Sequence, residues 1–230
     1  MSATNDPWWP WRGLAWWLSH PACWLRSLLA VGLAVIVALL VGVLIGWWDR
    51  PAAELTGWAW WWRCAVALTF ALVTAFIIWL SALPLLLLWL LDVLVVDIRR
   101  AAGLPVATAA PHAAVAAALA MLWRTLPRRL ACTVIAFVAA WCGPFGLPVV
   151  WFAAGYLLAT DAYDTALAAE RVDATWRWSE IRAANRDLIV GAVTAMPLLA
   201  LPVIGWLLAP QALVCGAALQ RSAGRVPTPT

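Results

Sequence analysis

The chain has no lysine: all 15 of its basic residues are arginine. Charge is scarce altogether, at 11% of 230 residues, and the excess of 15 basic over 11 acidic side chains leaves a net charge of only +4. So small and dispersed a balance excludes a nucleic-acid-binding surface and is read as setting orientation. His20 and His112 stand alone, and the five cysteines (Cys23, Cys64, Cys132, Cys142, Cys215) have neither CxxC nor any other metal-ligand spacing. An odd number of thiols lying in apolar runs is read as small core residues, so neither a disulfide framework nor a metal site is expected. P-loop, GxGxxG, HExxH and GxSxG motifs are all missing, as is a paired-carboxylate cleft. No enzyme and no cofactor are expected, and nothing in the chain would couple it to ATP.

Apolar residues fill the space that charge leaves. They make up 66% of the chain, against about 45–50% in soluble domains. Polar surface cannot cover such a composition, whereas lipid solvates it, so an all-α integral membrane protein of one domain (1–230) is expected. Residues 1–22 hold Trp8, Trp9, Trp11, Trp16 and Trp17 and read as a short irregular segment lying in the membrane interface. Residues 27–48 and 64–91 carry no charge and each exceeds the roughly 20 residues a span requires, so both read as transmembrane helices, the second kinked or ended at Pro84. The first is about twice too long for the apolar h-region of a signal peptide and reads as retained. Between them, Asp49 to Arg63 reads as a loop framed by Trp47, Trp48, Trp58, Trp60, Trp61 and Trp62. Residues 97–129 are polar enough to leave the membrane, with Ala113 to Ala120 forming a helix outside it or at its surface.

Two further apolar stretches have an intermediate length. Residues 130–160 are interrupted by Cys142-Gly143-Pro144-Phe145-Gly146-Leu147-Pro148, and residues 188–220 by Pro197, Pro202 and Gly205. Each is too long for one span and too short for two, which would need about 40 residues with a turn. Helical hairpins that turn inside the membrane fit both lengths, provided their turns are covered by protein or line a wet cavity. A single tilted, kinked span for each stretch is the rival. Arginine placement favours the hairpins. With hairpins, Arg12, Arg26 and every arginine from Arg99 onward share one side, and only Arg50 and Arg63 fall on the other. The positive-inside rule then places both termini, with the 221–230 tail, in the cytoplasm of a bacterial inner membrane.

The run Gly146-Leu147-Pro148-Val149-Val150-Trp151-Phe152, then Tyr163-Asp164, Met196-Pro197-Leu198-Leu199 and Ala209-Pro210-Gln211-Ala212-Leu213-Val214-Cys215-Gly216-Ala217, resembles the CysZ sulfate-permease family and its relatives among the etoposide-induced membrane proteins. His20-Pro21 ahead of the first span is similar to that family as well. The resemblance covers about residues 13–220. It implies two long spans with two hemi-penetrating hairpins, homo-oligomers, and movement of sulfate into the cytoplasm. After the first proline the family has a Gly-hydrophobic-Arg-Arg run, where this chain has Ala22-Cys23-Trp24-Leu25-Arg26. Apolar Leu85 to Leu91 likewise stand where an acidic, Asn-containing stretch is expected.

The anion-binding candidates are therefore Arg26, Gly143, Gly146, Pro148 and Pro202. Arg26 offers a planar donor fork for an oxyanion, or serves as an ordinary cytoplasmic anchor. The glycines and prolines open the second helices of the hairpins, whose buried N-termini favour anions, or simply make tight turns. Asp92 and Asp164 are acidic candidates at membrane ends, Asp92 being expected to pair with a loop arginine and Asp164 to bond at a helix end. Asp97 with Arg99 or Arg100, and the residues Glu170, Arg171, Asp173, Arg177, Glu180, Arg182 and Arg186, read as solvated charges. The partners expected are the bilayer and a small inorganic anion. A non-transporting scaffold of the same fold, or a carrier of another solute, fits the same residues.

Overall fold

A computed structural model describes residues 6–24, 27–29, 32–33, 36, 40, 43–44, 57–65, 91–107, 110–140, 142–201 and 204–223. These residues are all-helical, with no strand among them. Also among them, no helix is long and apolar enough to cross a membrane. The expected spans 27–48 and 64–91 fall largely outside the described residues. In the first, the described positions are helical, and Leu29, Leu33, Ile36, Leu40, Val43 and Leu44 are exposed.

Six helices are central here: α1 (Trp9–Leu18), α2 (Pro111–Ala140), α3 (Leu147–Ala168), α4 (Ala174–Ala183), α5 (Asn185–Leu199) and α6 (Ile204–Ala223). Helix α1 replaces the irregular segment expected at the N-terminus. Asp6 starts it by accepting a hydrogen bond from the Trp8 amide at 3.0 Å, and Pro10 preorganises its first turn. One face of α1 meets surroundings outside the core: Arg12, Ala15 and Leu18 are exposed, while Trp9 and Trp17 are buried. Residues 58–65 are helical rather than loop, following Gly57, because neither glycine nor proline recurs before Pro84. Trp58, Trp61 and Trp62 of this piece are exposed.

Residues 91–101 form a helix that buries Leu91, Val95 and Ile98. It stops at Gly103 (φ +67°), where the Leu104 amide donates to the Arg99 carbonyl and the Gly103 amide to that of Arg100. This is the paired-bond ending that a left-handed glycine makes available. Helix α2 then joins what the sequence divides: the alanine-rich stretch and the first arm of the 130–160 segment are one helix, continuous through Pro127. The chain turns at the short 3₁₀ segment Gly143–Gly146 and enters α3, which continues past Thr160 to Ala168. Every residue of α3 from Leu157 to Leu167 is buried, so it is the central helix of the fold.

Helices α5 and α6 form the second helix–turn–helix, with Ala209–Ala218 wholly buried. Their packing against α1 closes the chain. The Trp9 ring lies over Gly191 of α5 and Gly216 of α6, where an added Cβ would fall 2.2 Å and 2.7 Å from ring carbons. Trp11 Nε1 donates to the Thr194 carbonyl at 2.8 Å, tying the same helix to α5.

Candidate functional site

The chemistry-bearing side chains gather where α2, α3, α4, α6 and residues 91–101 converge. Asp161 and Asp164, three residues apart on α3, share one helix face. Arg129 of α2 pairs with Asp161, and its Nε also donates to Thr125 Oγ1 at 3.1 Å. Arg177 of α4 grips Asp164 with two parallel bonds, Nε to Oδ1 at 2.8 Å and Nη2 to Oδ2 at 2.5 Å. Glu170, just beyond α3, receives the Arg221 fork at 3.1 and 2.8 Å and Arg99 at 3.3 Å. Arg221 reaches Glu180 as well, at 3.0 Å.

Most of this network is dry. The Arg99, Glu170 and Arg177 side chains are 3%, 1% and 3% exposed, so the expectation of solvated charges is corrected at these residues. The reason is tertiary: α3 is central, and any carboxylate on it must find a cation to offset its desolvation. Burial pushes the Asp161 carboxyl up to about 6 against the opposing pull of Arg129, and raises Asp164 against Arg177. Four arginines (Arg99, Arg129, Arg177, Arg221) meet four carboxylates (Asp161, Asp164, Glu170, Glu180), so the ensemble is neutral. It can lock helices together but offers no surplus positive charge to an anion.

The residues expected to bind an anion lie elsewhere. Arg26 and Pro202 fall outside the described residues. Gly143 and Gly146 bound the 3₁₀ turn, and Pro148 occupies the first turn of α3. A Cβ on Gly146 would lie 1.7 Å from the Ala139 carbonyl oxygen, so the turn itself demands glycine there. Next to it, Phe145 is 90% exposed. Asp164 is 18 residues further along the helix, about 27 Å at 1.5 Å per residue. The structure therefore separates the turn candidates from the acidic one. Asp92 is half-buried and makes no ion pair among the described residues, and Arg99, a partner expected for Asp97, is committed to Glu170 and the Pro105 carbonyl.

Asp161 and Asp164 stand out in sequence as carboxylates within an apolar run. Their partners do not, being 32 and 13 residues away on other helices. A cavity of about 210 Å³ lies apart from the network, lined by Asp6, Pro7, Trp9, Arg186, Asp187 and Val190. Among the described residues no cluster of His, Cys, Asp or Glu is placed to hold a metal ion, and the five cysteines are free thiols. The chain matches no family model, no curated protein and no solved structure.

Proposed function

We propose that this chain is an integral protein of a bacterial inner membrane, with two transmembrane helices (27–48 and 64–91) and two hairpins (130–160 and 188–220) that enter the bilayer partway. Within that class it is a CysZ-like permease or channel that passes sulfate or a related small anion into the cytoplasm. The observation that carries the membrane half is the outer face of the first hairpin. Val134, Ile135, Val138, Phe145, Leu147 and Val149 are all exposed there, without a charged side chain between Leu130 and Thr160. Water does not tolerate a continuous apolar surface of this kind unless something covers it, and lipid covers it without cost.

The charged network supports the same placement, since it lies at the far end of α3 from the Gly143–Gly146 turn, where Phe145 is exposed. Support for an anion comes from the family resemblance and from the partial positive charge that any helix, α3 included, carries at its first turn. Uptake of labelled sulfate into proteoliposomes tests this reading. Saturable uptake that falls in Arg26→Ala is the expected result; uptake no greater than in empty liposomes, with orientation verified, overturns it.

The scaffold reading has one specific observation in its favour. The buried arginines of the network are matched one for one by carboxylates, as in a purely structural lock. Absence of flux together with co-purification of a stable partner would select it.

A further inference from the structure

The internal carboxylates are consumed by Arg99, Arg129, Arg177 and Arg221, and this leaves another group of arginines without acids. Arg128 of α2 sits beside Arg129 in sequence but reaches a different surface, placing its guanidinium 4.7 Å from the centre of the Trp178 ring on α4. Arg182, one turn further along α4, is 6.0 Å from the same ring. Neither arginine forms an ion pair with a carboxylate among the described residues. Arg124, one turn before Arg128, is already occupied by the Ala174 carbonyl and Thr175 Oγ1, each at 3.1 Å.

Two guanidinium groups that share one indole repel each other and gain only a modest amount from the ring. Arg128 has a more specific deficit: its Nη1 is buried and has no hydrogen-bond partner. A buried donor left unmade costs on the order of 1–3 kcal/mol, more when charged. An oxyanion at this point removes both penalties, taking a bond from Arg128 Nη1 and neutralising Arg182. Trp178 is half-buried and Arg182 exposed, so such a group approaches from outside, and the part-buried Arg128 side chain turns its Nη1 outward to meet it.

We propose that Arg128, Trp178 and Arg182 form a recognition site for the phosphate of an anionic phospholipid headgroup. Charge complementarity selects this occupant, together with position. The three residues neighbour the charged network at the end of the molecule remote from the Gly143–Gly146 turn, where the membrane reading puts cytoplasmic headgroups. Indole rings and arginines both concentrate at that depth. The inference rests on the membrane placement but not on transport, and it stands or falls separately from sulfate uptake.

Native mass spectrometry of the full chain, exchanged from detergent into phosphatidylglycerol or phosphatidylcholine at equal concentration, tests it. The wild type is expected to retain phosphatidylglycerol about tenfold or more over phosphatidylcholine, and Arg128→Gln/Arg182→Gln to bring the two close to parity. Equal retention of the two lipids by the wild type overturns the proposal, without reference to any variant. So does an undiminished preference in the double variant, or displacement of phosphatidylglycerol by millimolar inorganic phosphate, which makes the site one for the free ion. If the double variant does not fold, Arg182→Gln alone serves, since that side chain is exposed; it is expected to lose at least threefold in preference.

Discussion

A Cβ placed on Gly216 would sit 2.3 Å from the carbonyl oxygen of Trp9, so α1 and α6 meet backbone against backbone. On the other side of the same contact, a Cβ on Gly13 would lie 2.0 Å from the Ala212 carbonyl oxygen. In an open helix, glycine to alanine gains up to about 1 kcal/mol. Here the clash is with main chain, which cannot rotate away, and overpacking costs about 1–3 kcal/mol or more. Gly216→Ala is therefore expected to destabilise the protein and release α1. Thermal unfolding in detergent, with proteolysis of the N-terminal segment as a second readout, checks the sign; a stabilised variant would refute the contact.

Asp164 and Arg177 offer a sharper test of the network. Removing one partner of a buried pair leaves the other charge uncompensated and costs about 3–5 kcal/mol, whereas replacing both with apolar groups of similar size costs far less. Arg177→Met alone is expected to be severely destabilised, and Asp164→Leu/Arg177→Met to recover most of the loss. A double-mutant cycle by chemical denaturation measures this directly. Additive losses would mean that the two side chains do not interact.

Acid should affect this protein in an unusual direction. The folded-state value for Asp161, about 6, lies above its ordinary value of 3.8. Between these limits the folded chain binds the proton that the unfolded chain releases, so the contribution of Asp161 to stability grows as pH falls from about 6 towards 4. Asp164 is shifted in the same direction. Melting temperature measured across that window is expected to rise on acidification, and Asp161→Asn to flatten the slope. A wild-type melting temperature that falls from pH 6 to 5, with Asp161→Asn unchanged in slope, contradicts the assignment.

The exposed turn of the first hairpin carries a reporter of its own. Cys142 is an exposed thiol two residues from Pro144 and three from Phe145. With the other cysteines replaced, Cys142 in sealed vesicles is expected to react with a membrane-permeant maleimide and to resist a sulfonated one applied from either side. Rapid labelling by the sulfonated reagent would place the turn in water.

At Gly103, the left-handed backbone (φ +67°) has open space around it, so only conformation opposes a side chain. Gly103→Ala is expected to cost about 1–2 kcal/mol by thermal denaturation. A neutral result would show that the helix over residues 91–101 ends without the glycine.

Much of the second half of the fold was legible from local chemistry. Gly143 to Pro148 breaks one apolar run, and the chain does turn at 142–146. Of the residues expected to break the other, α5 runs through Pro197, Gly205 lies within α6 and Pro202 falls outside the described residues, the turn showing at Ala200 and Leu201. Helix boundaries were less legible. Leu130 and Thr160 read as the ends of an apolar stretch, yet α2 enters it from Pro111 through Pro127 and α3 leaves it past Thr160, because a proline whose lost bond is tolerated and a threonine bonded to the Tyr156 carbonyl do not stop a helix. The burial of Trp9 and Trp17 was not legible for a different reason. An indole is equally suited to an interface or a core, and only the glycines at 191 and 216, about 180 or more residues away, decide for Trp9.

Composition and the length of the apolar runs pointed by themselves to a helical chain, as the described residues are, because burial and backbone hydrogen bonding act on each segment alone. Which arginine meets which carboxylate was settled only by the tertiary structure. Fifteen near-identical cations look alike along a sequence. Packing around α3 sorts them, burying four against acids and leaving part-buried Arg128 and exposed Arg182 with none among the described residues.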